Sequence, residues 1–136
     1  MRLAQREADR ILTTTRQPST PPVDVEAIAH ALDVRIELGS FPPRDGVSGC
    51  IVRTKTGTVI GVNRDDALVR RRFTIAHELG HFVLHEFTDV HVASKKRLNR
   101  DDRAARAIDP IGFEANAFAA ALLMPRAWLE RALSVR

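Results

Sequence analysis

The sequence predicts one small α+β domain, because strands and helices occupy separate stretches of the chain. A chain of 136 residues with 44% hydrophobic residues has the length and the apolar content for a single core. Alternating apolar residues predict a strand over 34–38 and a hairpin over 48–63 that turns near Thr56 and Gly57. A short strand over 90–92 completes the predicted sheet.

The first two helices are predicted from their end signals. A helix over 1–16 stops at the proline-rich segment 17–22. Asp24 is placed to cap a second helix, which continues to about Leu32.

The later helices follow the same logic. Asp65 or Asp66 is placed to cap a long helix that continues to about Glu86. The Asp-Pro pair at 109–110 predicts the start of another helix, and the Met-Pro pair at 124–125 predicts its end and the start of a last one.

Composition and charge favour a cytoplasmic protein. The single cysteine excludes an internal disulfide and fits a reducing compartment. We expect no signal peptide, because residues 1–17 are charged throughout, and no stretch approaches the roughly 20 apolar residues of a membrane span. The net charge is +4, with basic clusters at 70–72 and 95–100 that lack interleaved aromatic residues, so direct nucleic-acid binding is not expected.

The stretch "RRFTIAHELGHFVLH" at 71–85 carries the clearest chemical signal. In a helix, His77 and His81 lie on one face, so that both imidazoles can bind one metal ion. Glu78 is turned by about 100° from His77, where a carboxylate can act as a general base towards a water on that ion. The alternative is an amphipathic core helix, but burying these polar groups without a partner is costly, and a metal ion supplies that partner.

His85 is a poor third ligand, because it lies about 12 Å along the helix axis from His77. The metzincin arrangement is also excluded, since Phe87 stands where that class has its third histidine. We therefore predict that His85 contacts the ligand residues without binding the metal, or is an ordinary core histidine, and it is also a candidate donor to the oxyanion.

A carboxylate from a second helix is the better third ligand. Glu114 lies on the predicted helix "FEANAFAAALL", whose alanines permit close approach to Gly80 on the first helix. His91 and Asp109 are the other candidates for this ligand. Cys50 would be the ligand by analogy with peptide deformylases, but its surroundings differ from theirs, and a packing role on a strand is preferred.

The segments "RFTIAHELGHFVLH" and "EANAFAAALLMP" together resemble the ImmA/IrrE-type zinc metallopeptidases. The resemblance extends upstream to "PVDVEAIAHAL", "VSG" and "VIGVN", and covers about residues 22–125. Within a single domain of 1–136, it leaves 1–21 as an N-terminal helix and linker and 126–136 as a C-terminal helix.

The resemblance implies a zincin-like α+β fold, with an antiparallel sheet packed on the HExxH helix and on a second, Glu-bearing helix. It implies one zinc ion held by His77, His81 and Glu114, with Glu78 as the catalytic base. It also implies that the chain is a hydrolase that cuts a helix-turn-helix repressor or an antitoxin.

Other parts of the function stay open at this point. One alternative is a catalytically weak, zinc-stabilised module that binds such a partner without cutting it. Another is a basic nucleic-acid binder with a structural zinc. Neither the oligomeric state nor the role of the basic segment 94–107 is predicted.

The chain has no tyrosine to stabilise an oxyanion, so the candidates are His85, Arg72 and backbone amides. The strand segment Ser48, Gly49 and Cys50 is predicted to bind an extended substrate by edge pairing.

Overall fold

The computed structural model describes residues 3–17, 22–84, 90–94 and 110–134. It is an α+β domain, as the sequence predicts. Its elements in chain order are α1 (Leu3–Thr14), α2 (Val25–Ala31), β1 (Val34–Gly39), a 3-10 turn (Pro43–Asp45), β2 (Val47–Thr54), β3 (Gly57–Asn63), α3 (Leu68–Leu84), β4 (Val90–Ser94), α4 (Pro110–Leu123) and α5 (Arg126–Ser134).

The four strands form one mixed sheet in the order β1-β3-β2-β4. Strand β2 is antiparallel to both β3 and β4, but β3 is parallel to β1. The predicted antiparallel sheet is therefore wrong for this one pair. The reason is that β1 has no hairpin to its neighbour: the chain passes through the 3-10 turn to β2, and the β2–β3 hairpin brings β3 back beside β1.

Local signals place most element ends correctly. The Asp24 carboxylate accepts a hydrogen bond from the Ala27 amide (3.0 Å), which confirms the predicted cap of α2. The predicted cap of α3 is displaced, because the Arg71 amide donates to the Ala67 carbonyl (2.9 Å), one or two residues beyond the expected aspartates. Helix α4 ends just before the Met-Pro pair at 124–125, as predicted.

Helix α3 is the centre of the packing. One side of it lies on the sheet, and another side lies on α4, which also contacts α1. The fully buried side chains that join these layers include Ile51 and Ile60 from the sheet, Leu79 from α3 and Phe118 from α4. Within the described ranges, no helix has the length and the apolar character needed to cross a membrane.

Strand β2 and helix α3 approach each other very closely at Gly49. A Cβ atom at this position would lie 2.5 Å from the Gly61 carbonyl oxygen and 2.6 Å from Cγ2 of Thr74. Neither neighbour can move freely, since one is backbone of the adjacent strand and the other is a buried side chain of the central helix.

We therefore expect Gly49→Ala to lower the free energy of unfolding by about 1–3 kcal/mol, the usual cost of overpacking a core. Gly39→Ala is the matched control, because a Cβ there meets only Phe41 at an ordinary 3.8 Å, and its effect should be close to zero. Urea unfolding of both variants measures this difference. Equal stability of the two variants would show that the sheet and α3 are not packed in this way.

Candidate metal centre

Three ionisable side chains of α3 are buried in the domain. His77 and His81 are 4% and 3% exposed, and Glu78 is 0% exposed. All three lie on a helix whose other buried residues are mainly apolar or small, such as Leu79 and Gly80. Burial of such groups is unfavourable unless each has a polar partner or a bound ion, so their surroundings indicate their role.

The two imidazoles converge on a common point. Nε2 of His77 and Nε2 of His81 are 3.2 Å apart, and the rings are nearly perpendicular, with an interplanar angle of 79°. Two nitrogens bound at about 2.0–2.1 Å in a tetrahedral zinc site would lie about 3.3–3.4 Å apart. The observed pair therefore has the spacing of two ligands to one metal ion.

The orientation of His77 is held from α4. Nδ1 of His77 is 2.7 Å from Oδ1 of Asn116, so the Nδ1–H group donates to the amide oxygen. This hydrogen bond leaves the lone pair on Nε2, the nitrogen that faces His81. Phe73 stacks on the same ring with 6.2 Å between centroids, which restricts its rotation further.

Asn116 was missed in the sequence analysis. The available signal was its polarity in a helix of alanines, two residues after Glu114. Metal-binding histidines usually donate their second N–H group to an oxygen acceptor, and a polar residue on the neighbouring helix can supply it.

The structure does not assemble a complete ligand set. Glu114 lies on α4, is partly exposed, and directly precedes Ala115, which contacts Gly80 of α3. In the part of the chain that the structure describes, no three His, Cys, Asp or Glu side chains are grouped closely enough to hold a metal ion. Glu114 therefore stays a prediction as the third ligand. Of the other candidates, His85 and Asp109 lie outside the described residues, and His91 lies on β4.

Arg72 does not point to the site. Its Nη1 donates to the Val23 carbonyl, 2.7 Å away, at the residue before the cap of α2. Five residues along a helix correspond to a turn of about 140° from His77, which explains why the guanidinium group lies elsewhere. The prediction of Arg72 as an oxyanion donor is therefore wrong, and its role is to join α2 to α3.

The prediction that Ser48, Gly49 and Cys50 bind an extended substrate by edge pairing is also wrong. Gly49 and Cys50 lie on β2, which pairs with β3 on one side and with β4 on the other. Ser48 lies in an irregularity of the β2–β4 pairing between Val47 and Gly49. Because both edges of β2 are occupied, this segment cannot add an extended peptide by edge pairing.

Cys50 is half-buried on β2 and forms no disulfide. Burial raises the pKa of its thiol, the nearby Glu78 carboxylate raises this pKa further, and a backbone hydrogen bond with Gly61 acts in the opposite direction. The half-buried position on β2 fits the packing role preferred for Cys50, which stays a prediction.

The fold and the buried pair of histidines define an α+β domain of the class that carries a metal on an H-E-x-x-H helix. The model of one family, described as the IrrE N-terminal-like domain (Peptidase_M78), matches residues 29–136. This match covers most of the chain, so the protein belongs to this metallopeptidase family. The family confirms the predicted ImmA/IrrE resemblance and agrees with the zincin-like fold class, and it indicates a metal cofactor. No curated protein gives a significant match to the chain.

The hydrogen bond from His77 to Asn116 predicts one tautomer of His77. In the metal-free protein, nitrogen-15 NMR should show the proton of the neutral ring on Nδ1. Asn116→Ala should remove this preference, whereas Asn116→Asp keeps an oxygen acceptor and should retain it. A ring protonated on Nε2 in the wild type would contradict the orientation described above.

Proposed function

We propose that this protein is a zinc-dependent endopeptidase. The observation that carries the proposal is the pair of Nε2 atoms of His77 and His81, 3.2 Å apart and buried beside Glu78 on one helix. A hydrogen bond between the two imidazoles in the metal-free protein gives the same spacing, so the carboxylate of the H-E-x-x-H motif beside the pair is what favours a metal site. Membership of a metallopeptidase family supports the same conclusion.

In this proposal, His77, His81 and Glu114 hold the zinc ion. The ion supplies Lewis-acid activation of a water nucleophile and of the scissile carbonyl group. Asn116 keeps the lone pair of His77 directed at the ligand position through the hydrogen bond on Nδ1.

Glu78 is the general base and then the general acid. A carboxylate oxygen of Glu78 accepts a proton from the attacking water, and the same group returns that proton to the leaving amine nitrogen. Its place one residue after His77 puts it beside the ligand position without sharing the ligand direction. Since Arg72 binds the Val23 carbonyl, backbone amides and His85 are the candidates for stabilising the oxyanion.

We propose a helix-turn-helix repressor or an antitoxin in the cytoplasm as the substrate. The support for this substrate is the sequence resemblance to ImmA/IrrE-type peptidases. Neither direct nucleic-acid binding nor association with membranes is part of this proposal.

One observation favours a second candidate function. Glu78 is fully buried, and both histidines are almost so, which leaves little of the motif exposed to a substrate in this conformation. A site with so little exposure fits a module that binds its repressor or antitoxin and cuts it slowly, or only after a partner opens the site.

Glu78→Gln separates catalysis from metal binding. The amide keeps the shape of the side chain but cannot accept the proton, so metal content should be unchanged and cleavage should fall by at least about 100-fold. Terminal-amine labelling of cells that express either form would identify new protein N-termini, which should be present only with the wild type. Identical sets of N-termini would refute the role of Glu78 and favour the binding module.

Glu114→Ala tests the third ligand. Elemental analysis of the purified wild type should find about one zinc ion per chain, and the variant should lose most of it because catalytic zinc needs three protein ligands. Glu130→Ala is the matched control, since this glutamate lies on α5 and pairs with Arg126 at the surface. An unchanged zinc content in the Glu114 variant would show that another residue is the third ligand. The absence of zinc from the folded wild type would refute the peptidase proposal.

A further inference from the structure

Two buried hydroxyl groups, one on β2 and one on α3, have no hydrogen-bond partner among the described residues. Ser48 and Thr74 are both 0% exposed, and Oγ of Ser48 and Oγ1 of Thr74 have no partner among the residues that the structure describes. Buried hydroxyl groups in folded proteins are nearly always hydrogen-bonded, to protein or to an ordered water molecule. Two such groups in one layer therefore require an explanation.

The two hydroxyl groups belong to elements that pack on each other at Gly49. A Cβ atom on Gly49 would lie 2.6 Å from Cγ2 of Thr74, so Thr74 packs directly on β2 at this residue. Ser48 is the neighbour of Gly49 along the strand. The register of β2 against β4 shifts between Val47 and Gly49, and such a bulge redirects a side chain. Ser48 and Gly49 are both buried at this bulge.

Glu78 lies on the same face of α3 as Thr74. The two residues are four positions apart, which places them one above the other on the helix. The Glu78 side chain is fully buried, and its charge contributes to the raised pKa of the Cys50 thiol on β2. Its carboxylate is therefore near the strand that carries Ser48.

We propose that Ser48 and Thr74 bind one internal water molecule, and that this water donates a hydrogen bond to the Glu78 carboxylate and fixes its orientation. Two hydroxyl groups and one carboxylate give the water three polar partners, the usual number for a buried water. Ser48 and Thr74 are then positioning residues for the base, because the water holds the carboxylate from the sheet side. The role assigned to Glu78 rests on the proposed function.

The first test uses three variants of the full-length protein: Thr74→Val, Thr74→Ser and Ser48→Ala. Valine keeps the branched shape that packs on Gly49 and removes only the hydroxyl group. We expect Thr74→Val and Ser48→Ala to lower kcat by roughly tenfold at the bond found by terminal-amine labelling, the lower end of the range for outer-shell partners. Thr74→Ser keeps the hydroxyl group, and its kcat should stay within about twofold of the wild type.

The thermal midpoint gives a readout that does not depend on activity. Loss of a water-bridged hydroxyl group should lower the Tm of Thr74→Val by a few degrees. If the hydroxyl group has no partner at all, the same substitution removes an unfavourable buried polar group and should raise the Tm. A raised Tm would overturn the water site, and an unchanged kcat with a lowered Tm would overturn the link to Glu78.

A crystal structure of the wild type at high resolution gives the direct test. It should show a water molecule within hydrogen-bond distance of Oγ of Ser48, Oγ1 of Thr74 and a carboxylate oxygen of Glu78. A dry contact, or a water that does not reach Glu78, would refute the proposal. If the wild type cuts no protein bond, the proposed function and the positioning role fail together, while the Tm and the crystal structure still decide whether the water is bound.

Discussion

The close approach of α3 and α4 at Gly80 determines how the rest of the site is arranged. A Cβ atom on Gly80 would lie 3.1 Å from both the Cα atom and the carbonyl oxygen of Ala115. With hydrogen in its place, the two helix backbones come into direct contact. The residue after Ala115 is Asn116, and this contact is what lets its short side chain reach Nδ1 of His77. A larger residue at Gly80 would separate the two helices and break the hydrogen bond between Asn116 and His77, even with every ligand residue unchanged.

Burial of the H-E-x-x-H side chains lowers the stability of the fold, and the packing around them does not compensate for this loss. Two imidazoles and a carboxylate inside a domain with one small core oppose folding unless they are hydrogen-bonded or bind a cation. Asn116 satisfies one imidazole nitrogen, and the Nε2 pair is arranged for a cation. Stability and function are therefore opposed at this point of α3. Apolar side chains at these positions would strengthen the core, but they could neither bind a metal ion nor accept a proton.

Most signals that depend on adjacent residues were read correctly from the sequence, the cap of α3 excepted. The Asp24 cap, the β2–β3 hairpin and the end of α4 before Pro125 each depend on a few neighbouring residues. The histidine pair was predicted for the same reason, because four residues define one helical face. These are properties of local geometry, and no knowledge of the tertiary fold was needed to state them.

Features that depend on tertiary contacts were missed. The parallel pairing of β1 with β3 depends on where the chain crosses after β1, which alternation in the strands does not encode. Arg72 looked available for catalysis because its sequence position is close to His77, whereas its direction is set by the carbonyl of Val23, 49 residues away. The central position of β2 follows from the pairing of β4, a strand of only 5 residues with a weak signal of its own.

These corrections reduce the described part of the site to two helices. With Arg72 bound to the Val23 carbonyl and β2 enclosed in the sheet, the polar groups of the site come from α3 and α4. His77, Glu78 and His81 lie on α3, and Asn116 on α4 holds His77 from the side of the ring opposite to the ligand position. The sheet supports the site indirectly, because the close contact at Gly49 sets the position of α3 on the sheet. A site built from one helix contact and one supporting strand needs few long-range contacts. Such a site can be held by a single domain of this size, provided that the glycines at both contacts are kept.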